Sequence, residues 1–179
     1  IEARREGWNG IRRARAGRDG DNIEARLMSL LLPDVLYPRS AGRRADAARS
    51  ECVLGQQGLW SLGISGDCPI ILFSYDSATD AERLDAYARA FRFMRLAGVA
   101  ADFVITYREG GDYSRETFRR ITETLRVCDC ECLLGTSQGA SLGGIHMVDL
   151  DRHEQEIYSL LLASACHIAP RSEPDKRES

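Results

Sequence analysis

Two uninterrupted apolar runs dominate the pattern of the chain from residue 69 onward. The first is Ile-Ile-Leu-Phe-Ser-Tyr at 70–75, and the second is Asp-Phe-Val-Ile-Thr-Tyr at 102–107. Runs without polar alternation are typical of strands that are covered on both faces of a sheet. Their starts lie about 30 residues apart, which is a natural length for a right-handed crossover between parallel strands. We therefore predict two parallel strands joined by a helix.

Helical spacing of apolar residues follows each of these strands. Thr79 with Glu82 predicts a capping box, and Gly98 predicts the end of that helix. Ser114 is predicted to cap a second helix. The inward faces of the two helices are predicted to be Leu84, Tyr87, Ala88, Phe91 and Met94 in the first, and Phe118, Ile121 and Leu125 in the second.

Three further elements complete the pattern. Residues 131–134 and 144–150 are predicted strands, and Asp151 with Glu154 predicts the cap of a last helix. That helix is expected to bury Ile157, Leu160, Leu161 and Ala165. The resulting order, β-α-β-α-β-β-α, predicts a small layered α/β domain with a mostly parallel sheet.

The first fifty residues have a different character. Residues 1–20 carry six arginines against three acids, and 38–51 are polar and basic. Between them, Asp21 or Asn22 is predicted to cap a short helix that Pro33 ends. Its apolar positions are Ile23, Leu27, Leu30 and Leu31. We therefore predict an N-terminal arm with a short helix and linker at 1–50, an α/β domain at 51–169 and a charged tail at 170–179.

Charge, apolar run length and cysteine usage argue against several classes of partner and location. The net charge of −3 gives no electrostatic reason to expect nucleic acid as a partner. No apolar run is long enough to cross a bilayer, so we expect no membrane contact. The six cysteines need not form disulfides in a chain with a core of this size. We expect reduced thiols and a cytoplasmic location.

Two serines invite a nucleophile interpretation. Gly135-Thr136-Ser137-Gln138-Gly139 matches the spacing of a nucleophile elbow, with Ser137 as nucleophile and His153 or His167 as base. A helix should follow such a serine, but Gly143 and Gly144 interrupt it, which favours a glycine-rich connection.

Ser65 fits the elbow less well. Its loop precedes a strand, and Asp67 stands where a glycine is required. We interpret this loop as the turn that leads into the first strand.

Cysteines and histidines are the remaining candidates for chemistry. Cys128, Cys130 and Cys132 would point to one side of an extended strand, but the chain offers no convincing second pair of ligands for structural zinc. We therefore expect no metal site. His146 is predicted to point away from the core, and His153 and His167 are placed in the first and last turns of the final helix.

The segment Gly-Gln-Gln-Gly-Leu-Trp-Ser-Leu-Gly-Ile-Ser-Gly-Asp-Cys-Pro-Ile at 55–70 resembles the cyclic β-1,2-glucan synthase and 1,2-β-oligoglucan phosphorylase group of glycoside hydrolase family 94, formerly glycosyltransferase family 36. Shorter similarities occur at 36–39, 95–98, 102–109 and 143–150. Two positions depart from the family pattern: Cys68 replaces a leucine, and Arg108 replaces an asparagine before the glutamate.

The resemblance implies a non-catalytic region of a larger enzyme. In that family an aspartate of a large helical barrel protonates the glycosidic oxygen while phosphate attacks, with no metal or organic cofactor, and 179 residues cannot contain such a barrel. The implied partners are neighbouring β-sandwich and helical-barrel domains of the same polypeptide, and the first residue, Ile1, agrees with a piece of a longer chain.

Three function hypotheses remain open from the sequence. The leading one is an accessory domain that scaffolds its neighbours and lines a glucan path with Trp60, Ser65, Asp67 and Glu109. The second is a small serine esterase that uses Ser137. The third is a docking module without a ligand, in which Trp8 and Trp60 are interface residues.

Overall fold

In the part of the chain that the computed structural model describes, four parallel strands form one sheet. The structure describes residues 20–38, 54–111, 114–135, 143–153 and 155–171. The strands are β1 (Ile70–Ser74), β2 (Asp102–Tyr107), β3 (Ile145–Asp149) and β4 (Ala165–Ile168), in the spatial order β3-β2-β1-β4. The α/β fold class and the two predicted apolar strands are confirmed.

Helices cover both faces of this sheet. They are α1 (Gly20–Leu36), α2 (Gln56–Ser61), α3 (Ala81–Leu96), α4 (Glu116–Val127) and α5 (Gln155–Ser164). Helices α1, α3 and α4 pack on one face, and α2 and α5 on the other. All residues of β1 and β2 are buried, as the absence of polar alternation in these runs predicts.

Two predicted elements at the margins of the sheet are wrong. Residues 131–134 do not form a strand: Glu131–Leu133 is a single 3-10 turn, and Leu134 makes only an isolated bridge to Ile145. The last helix ends at Ser164, so Ala165 begins a fourth strand that pairs with β1. Ala165–Ile168 becomes a strand because the free side of β1 offers it unpaired N–H and C=O groups.

The predicted end of α1 at Pro33 is also wrong. The helix continues to Leu36, and the Tyr37 N–H donates to the Pro33 carbonyl at 3.0 Å. Leu31 and Val35 lie on either side of the proline and are buried in the core shared with α3. Because burial continues past Pro33, packing outweighs the hydrogen bond that proline cannot donate.

The start of α3 lies close to its predicted position but uses other residues. The carboxylate of Asp80 accepts from the N–H groups of Asp76 at 2.8 Å and Ser77 at 3.1 Å. The Ser77 bond, together with the Ser77 side chain that accepts from the Asp80 N–H, forms a capping box two residues before the predicted one. Gly98 follows the helix with φ of +79°, as predicted for its end.

Because the four strands are parallel, all their amino ends lie on one side of the sheet, here called the amino edge, and all their carboxyl ends lie on the other, the carboxyl edge. From β1 the chain adds β2 and then β3 towards one side of the sheet. It then returns through α5 and adds β4 on the other side of β1. The segment 63–69 precedes β1 at the amino edge, whereas residues that follow β1 and β2 lie at the carboxyl edge. None of the described helices has the length and apolar character needed to cross a membrane.

Candidate functional site

The loop Gly63–Asp67 lies at the amino edge of the sheet and is anchored by one apolar side chain. Ile64 is fully buried in the core formed with α2 and α5. Gly63 and Gly66 adopt φ of +73° and +78°, a region that favours glycine. The two glycines turn the chain on either side of the buried isoleucine, so the loop has a defined conformation that is anchored to the core.

Ser65 holds this turn together through its backbone and its hydroxyl. The Ser65 carbonyl oxygen accepts from Trp60 Nε1 and from Gln56 Nε2, each at 3.1 Å. Ser65 Oγ accepts from the Asp67 N–H at 3.2 Å. These contacts match the structural interpretation of the loop as a turn that leads into β1.

Trp60 presents its ring to solvent beside this turn. Its side chain is 58% exposed although its indole N–H is bonded to the loop. Asp67 is also exposed, and Ser65 is half-buried. Three of the four predicted site residues are therefore brought together at the amino edge.

Glu109 lies at the opposite edge. It follows β2, and the five residues of β1 separate the two edges by about 17 Å at roughly 3.3 Å per residue. Its carboxylate accepts from the N–H of Phe118 at 2.8 Å and the N–H of Thr117 at 3.2 Å. Glu109 thus caps α4, where the sequence predicted Ser114; the residue before this helix is Arg115, with φ of +52°.

Glu109→Ala is expected to lower the free energy of unfolding by about 1 to 2 kcal/mol, because it leaves two N–H groups of α4 without their acceptor. Urea unfolding followed by circular dichroism measures the change. Glu123→Ala on the exposed face of the same helix is the matched control, since its pair with Arg126 is a surface one. Equal losses in the two variants would show that Glu109 is not the cap.

The histidines do not occupy their predicted settings. His146 is buried and lies 3.2 Å from Asp102 Oδ1, so the prediction that it points away from the core is wrong. His167 lies on β4 and not in a helix; its Nδ1 is 2.8 Å from Asp34 Oδ2 and its Nε2 is 3.3 Å from the Tyr87 hydroxyl. His153 is exposed after a 3-10 turn.

The candidates for nucleophilic and metal chemistry give no site in the described part of the chain. Ser137 lies outside the described residues, as do Trp8, residues 39–51 of the predicted linker and Glu154. Cys128, Cys130 and Cys132 follow the end of α4 in a turn and are not in an extended strand. Among the described residues, no three His, Cys, Asp or Glu side chains are grouped as metal ligands.

A crevice that the sequence patterns do not predict opens at the carboxyl edge of the sheet. Its volume is about 130 Å³. We call it the carboxyl-edge crevice, defined by Ser74, Asp76, Thr106, Leu150, Tyr158 and Arg171. The sequence carries only a partial signal for it, since Ser74 and Thr106 are polar residues at the penultimate positions of the two apolar runs.

Asp151 ties the two loops beside this crevice together. Its carboxylate accepts from the Gly110 N–H at 2.8 Å and from Arg108 Nη1 at 2.9 Å. The Gly110 bond and the Arg108 guanidinium hold the pKa of Asp151 below its usual range. Asp151 was predicted to cap the last helix, but it joins the loops that follow β2 and β3.

The comparison with known proteins found a similarity to one part of a much longer glucan synthase. No family model matches this chain. Cyclic beta-(1,2)-glucan synthase NdvB from Rhizobium meliloti (strain 1021) is 30% identical to it over 143 residues. The match covers 79% of this chain and 5% of that synthase, so the chain spans a small part of its relative. The resemblance is thereby confirmed as a relation to a glucan synthase, whereas the phosphorylase group and family 94 stay predictions.

Proposed function

We propose that this chain is a non-catalytic accessory domain of a glucan synthase or glucan phosphorylase, and that the Trp60 surface contacts the glucan. The Trp60 surface consists of Trp60, Ser65 and Asp67. The match to a small part of a glucan synthase supports a domain of a larger glucan-active protein. The larger protein would transfer glucosyl units to phosphate or to glucan.

The fixed orientation of Trp60 is the observation that carries the glucan contact. The hydrogen bond from its indole to Ser65 at 3.1 Å holds the ring while 58% of the side chain stays exposed. A flat aromatic face can pack against the C–H groups of a pyranose ring, and the exposed Asp67 carboxylate can accept sugar hydroxyls. Because the ring is already ordered, binding costs little conformational entropy.

Glu109 is not part of this proposed surface. Both of its carboxylate oxygens accept from α4, and it lies at the other edge of the sheet. Its proposed contribution is to the shape of the domain.

The scaffolding role concerns the outer surface of α1. Leu30, Leu36 and Tyr37 are large apolar side chains that are exposed along this helix and at its end. We propose that they pack against a neighbouring domain of the same polypeptide, such as the β-sandwich or helical-barrel domain implied by the resemblance. The proposed location is the cytoplasm, which suits the five free cysteines among the described residues.

Titration with a β-1,2-gluco-oligosaccharide tests the glucan contact. The chain has two tryptophans, so in a Trp8→Phe variant the fluorescence reports Trp60 alone. We expect saturable fluorescence changes in that variant, and calorimetry should show that Trp60→Ala weakens binding about tenfold, as for the loss of a central aromatic contact.

Two results would refute the glucan contact. One is a folded Trp8→Phe protein whose fluorescence does not respond to millimolar oligosaccharide, which would favour the docking module. The other is undiminished binding by Trp60→Ala. Tyr37→Ala is the matched control, because it removes another exposed ring and is expected to leave binding unchanged.

A further inference from the structure

We propose that the carboxyl-edge crevice is a second binding site, which takes a single neutral sugar ring. The crevice lies where parallel-sheet proteins commonly bind ligands, outside the carboxyl ends of the strands and beside the strand at which the chain reverses its direction across the sheet. Here that strand is β1, with β2 on one side and β4 on the other. The site is separate from the Trp60 surface, which lies at the amino edge.

Three hydroxyl groups line the floor of the crevice in a loosely bonded row. Thr106 Oγ1 donates to Ser74 Oγ at 3.3 Å, and Ser74 Oγ lies 3.4 Å from the Tyr158 hydroxyl. Hydrogen bonds between hydroxyls are usually about 2.7 to 2.8 Å long. Because each of these groups can both donate and accept, a ligand hydroxyl can replace the long contacts with shorter ones.

The floor is rigid although its bonds are long. Ser74 and Thr106 are paired with each other near the carboxyl ends of β1 and β2, and both are buried. Tyr158 is held from the other side by Arg171 Nη2, which donates to its hydroxyl at 2.9 Å. A ligand therefore meets polar groups that are already in place, which lowers the entropy cost of binding.

The charges around the crevice favour a neutral ligand. Arg171 Nε lies 3.2 Å from Asp76 Oδ2, and Arg108 Nη1 lies 2.9 Å from Asp151 Oδ1. Each guanidinium at the crevice thus has a carboxylate beside it, so no net charge calls for a phosphate or a carboxylate ligand. Paired guanidinium and carboxylate groups still offer donors and acceptors to hydroxyls, which is what a sugar requires.

Size limits the ligand to one ring. The crevice of about 130 Å³ is smaller than the roughly 300 to 1,000 Å³ typical of pockets for drug-sized ligands. Leu150 supplies an apolar wall for the C–H face of the ring. That the ring is a glucosyl unit rests on the proposed function; the preference for a neutral polyol rests on the crevice alone.

Amide chemical shifts test the site in the full chain. D-glucose is titrated into labelled protein, with sodium phosphate in a second titration as the anionic probe. We expect glucose to shift the amides of Ser74, Asp76 and Thr106, and phosphate to leave them unchanged. Tyr158→Phe removes only one hydroxyl and should weaken glucose binding roughly three- to tenfold.

Control variants separate this proposal from the proposed function. Trp60→Ala should keep the glucose shifts at the crevice, and Tyr37→Phe should bind glucose like the wild type. Crevice shifts without an oligosaccharide response at Trp60 would leave this site standing and remove the glucan contact at the amino edge. No glucose shifts at the crevice, shifts with phosphate alone, or unchanged binding by Tyr158→Phe would each overturn the site.

Discussion

Gly143→Ala is expected to lower the free energy of unfolding by about 3 kcal/mol or more, because there is no room for a side chain at this position. Gly143 adopts φ of +81°, and a Cβ at this position would lie 2.1 Å from the Ala101 carbonyl oxygen and 2.8 Å from Asp102 Oδ1. The following Gly144 donates to Asp102 Oδ1 at 2.9 Å, and its carbonyl accepts from Phe103 at 2.8 Å. The approach of the two backbones therefore cannot relax without breaking the start of the pairing between β2 and β3.

Gly98→Ala is the matched control for this prediction. Gly98 has nearly the same φ, +79°, but a Cβ there would meet nothing within 4 Å. Its substitution should cost only the conformational strain, about 1 to 2 kcal/mol. Urea unfolding of the two variants under the same conditions isolates the steric part, and equal losses would contradict the close approach of residue 143 to residue 101.

The second large effect is a loss of stability at alkaline pH. Burial raises the pKa of the Cys128 thiol from 9.0 to about 12, with the hydrogen bond to Asp85 adding to the effect. Burial likewise raises the pKa values of Cys130 and Cys166 to about 11. The folded protein holds these protons more tightly than the unfolded chain, so the stabilisation is complete below pH 9 and is lost as the pH rises towards the folded pKa values.

The expected slope is up to about 1.4 kcal/mol per pH unit for each thiol. Urea unfolding at several pH values from about 8 to about 10 measures it. The slope should be shallower in Cys128→Ala, which lacks one of the titrating groups. Cys132→Ala, which removes an exposed thiol on the adjacent turn, is the control for the loss of a thiol as such. Identical slopes for wild type and Cys128→Ala would refute the raised pKa of Cys128.

Strong local patterns predicted the centre of this fold well. Strand β2 has the bounds predicted for it, and β1 stops one residue earlier than its apolar run. The apolar face predicted for α3 is buried in full. These elements were predictable because each carries many apolar residues at one spacing, so the local preference and the final packing agree.

Where the local pattern was weak, or opposed the observed element, tertiary contacts determined the secondary structure. Ala165–Ile168 has too little periodicity to identify a strand, and it forms one because the open side of β1 lies beside it. Pro33 is a strong helix breaker, yet the burial of Leu31 and Val35 on both sides of it continues α1. In each case an interaction with a distant segment outweighed a local preference of a few kcal/mol at most.

The candidate sites also differ in how far the sequence could predict them, depending on whether their residues lie in one segment or in several. The Gly63–Asp67 loop could be singled out in the sequence, because its glycines and its resemblance to glucan synthases lie within one short stretch. Glu109 was grouped with that loop, although parallel strands place it at the other edge, where it caps α4. The carboxyl-edge crevice could not be assembled from the sequence, because its residues come from five separate segments, around 74, 106, 150, 158 and 171.

The α/β class, the two central strands and the helices between them followed from the chain alone, because a strand buried on both faces and a helix buried on one face each require a regular spacing of apolar residues. The edge of the sheet that each polar residue reaches, the burial of the histidines and the position of the last strand were set by packing between distant segments. These features depend on the direction and order of the strands, and neither quantity is encoded in the spacing of residues within a single segment.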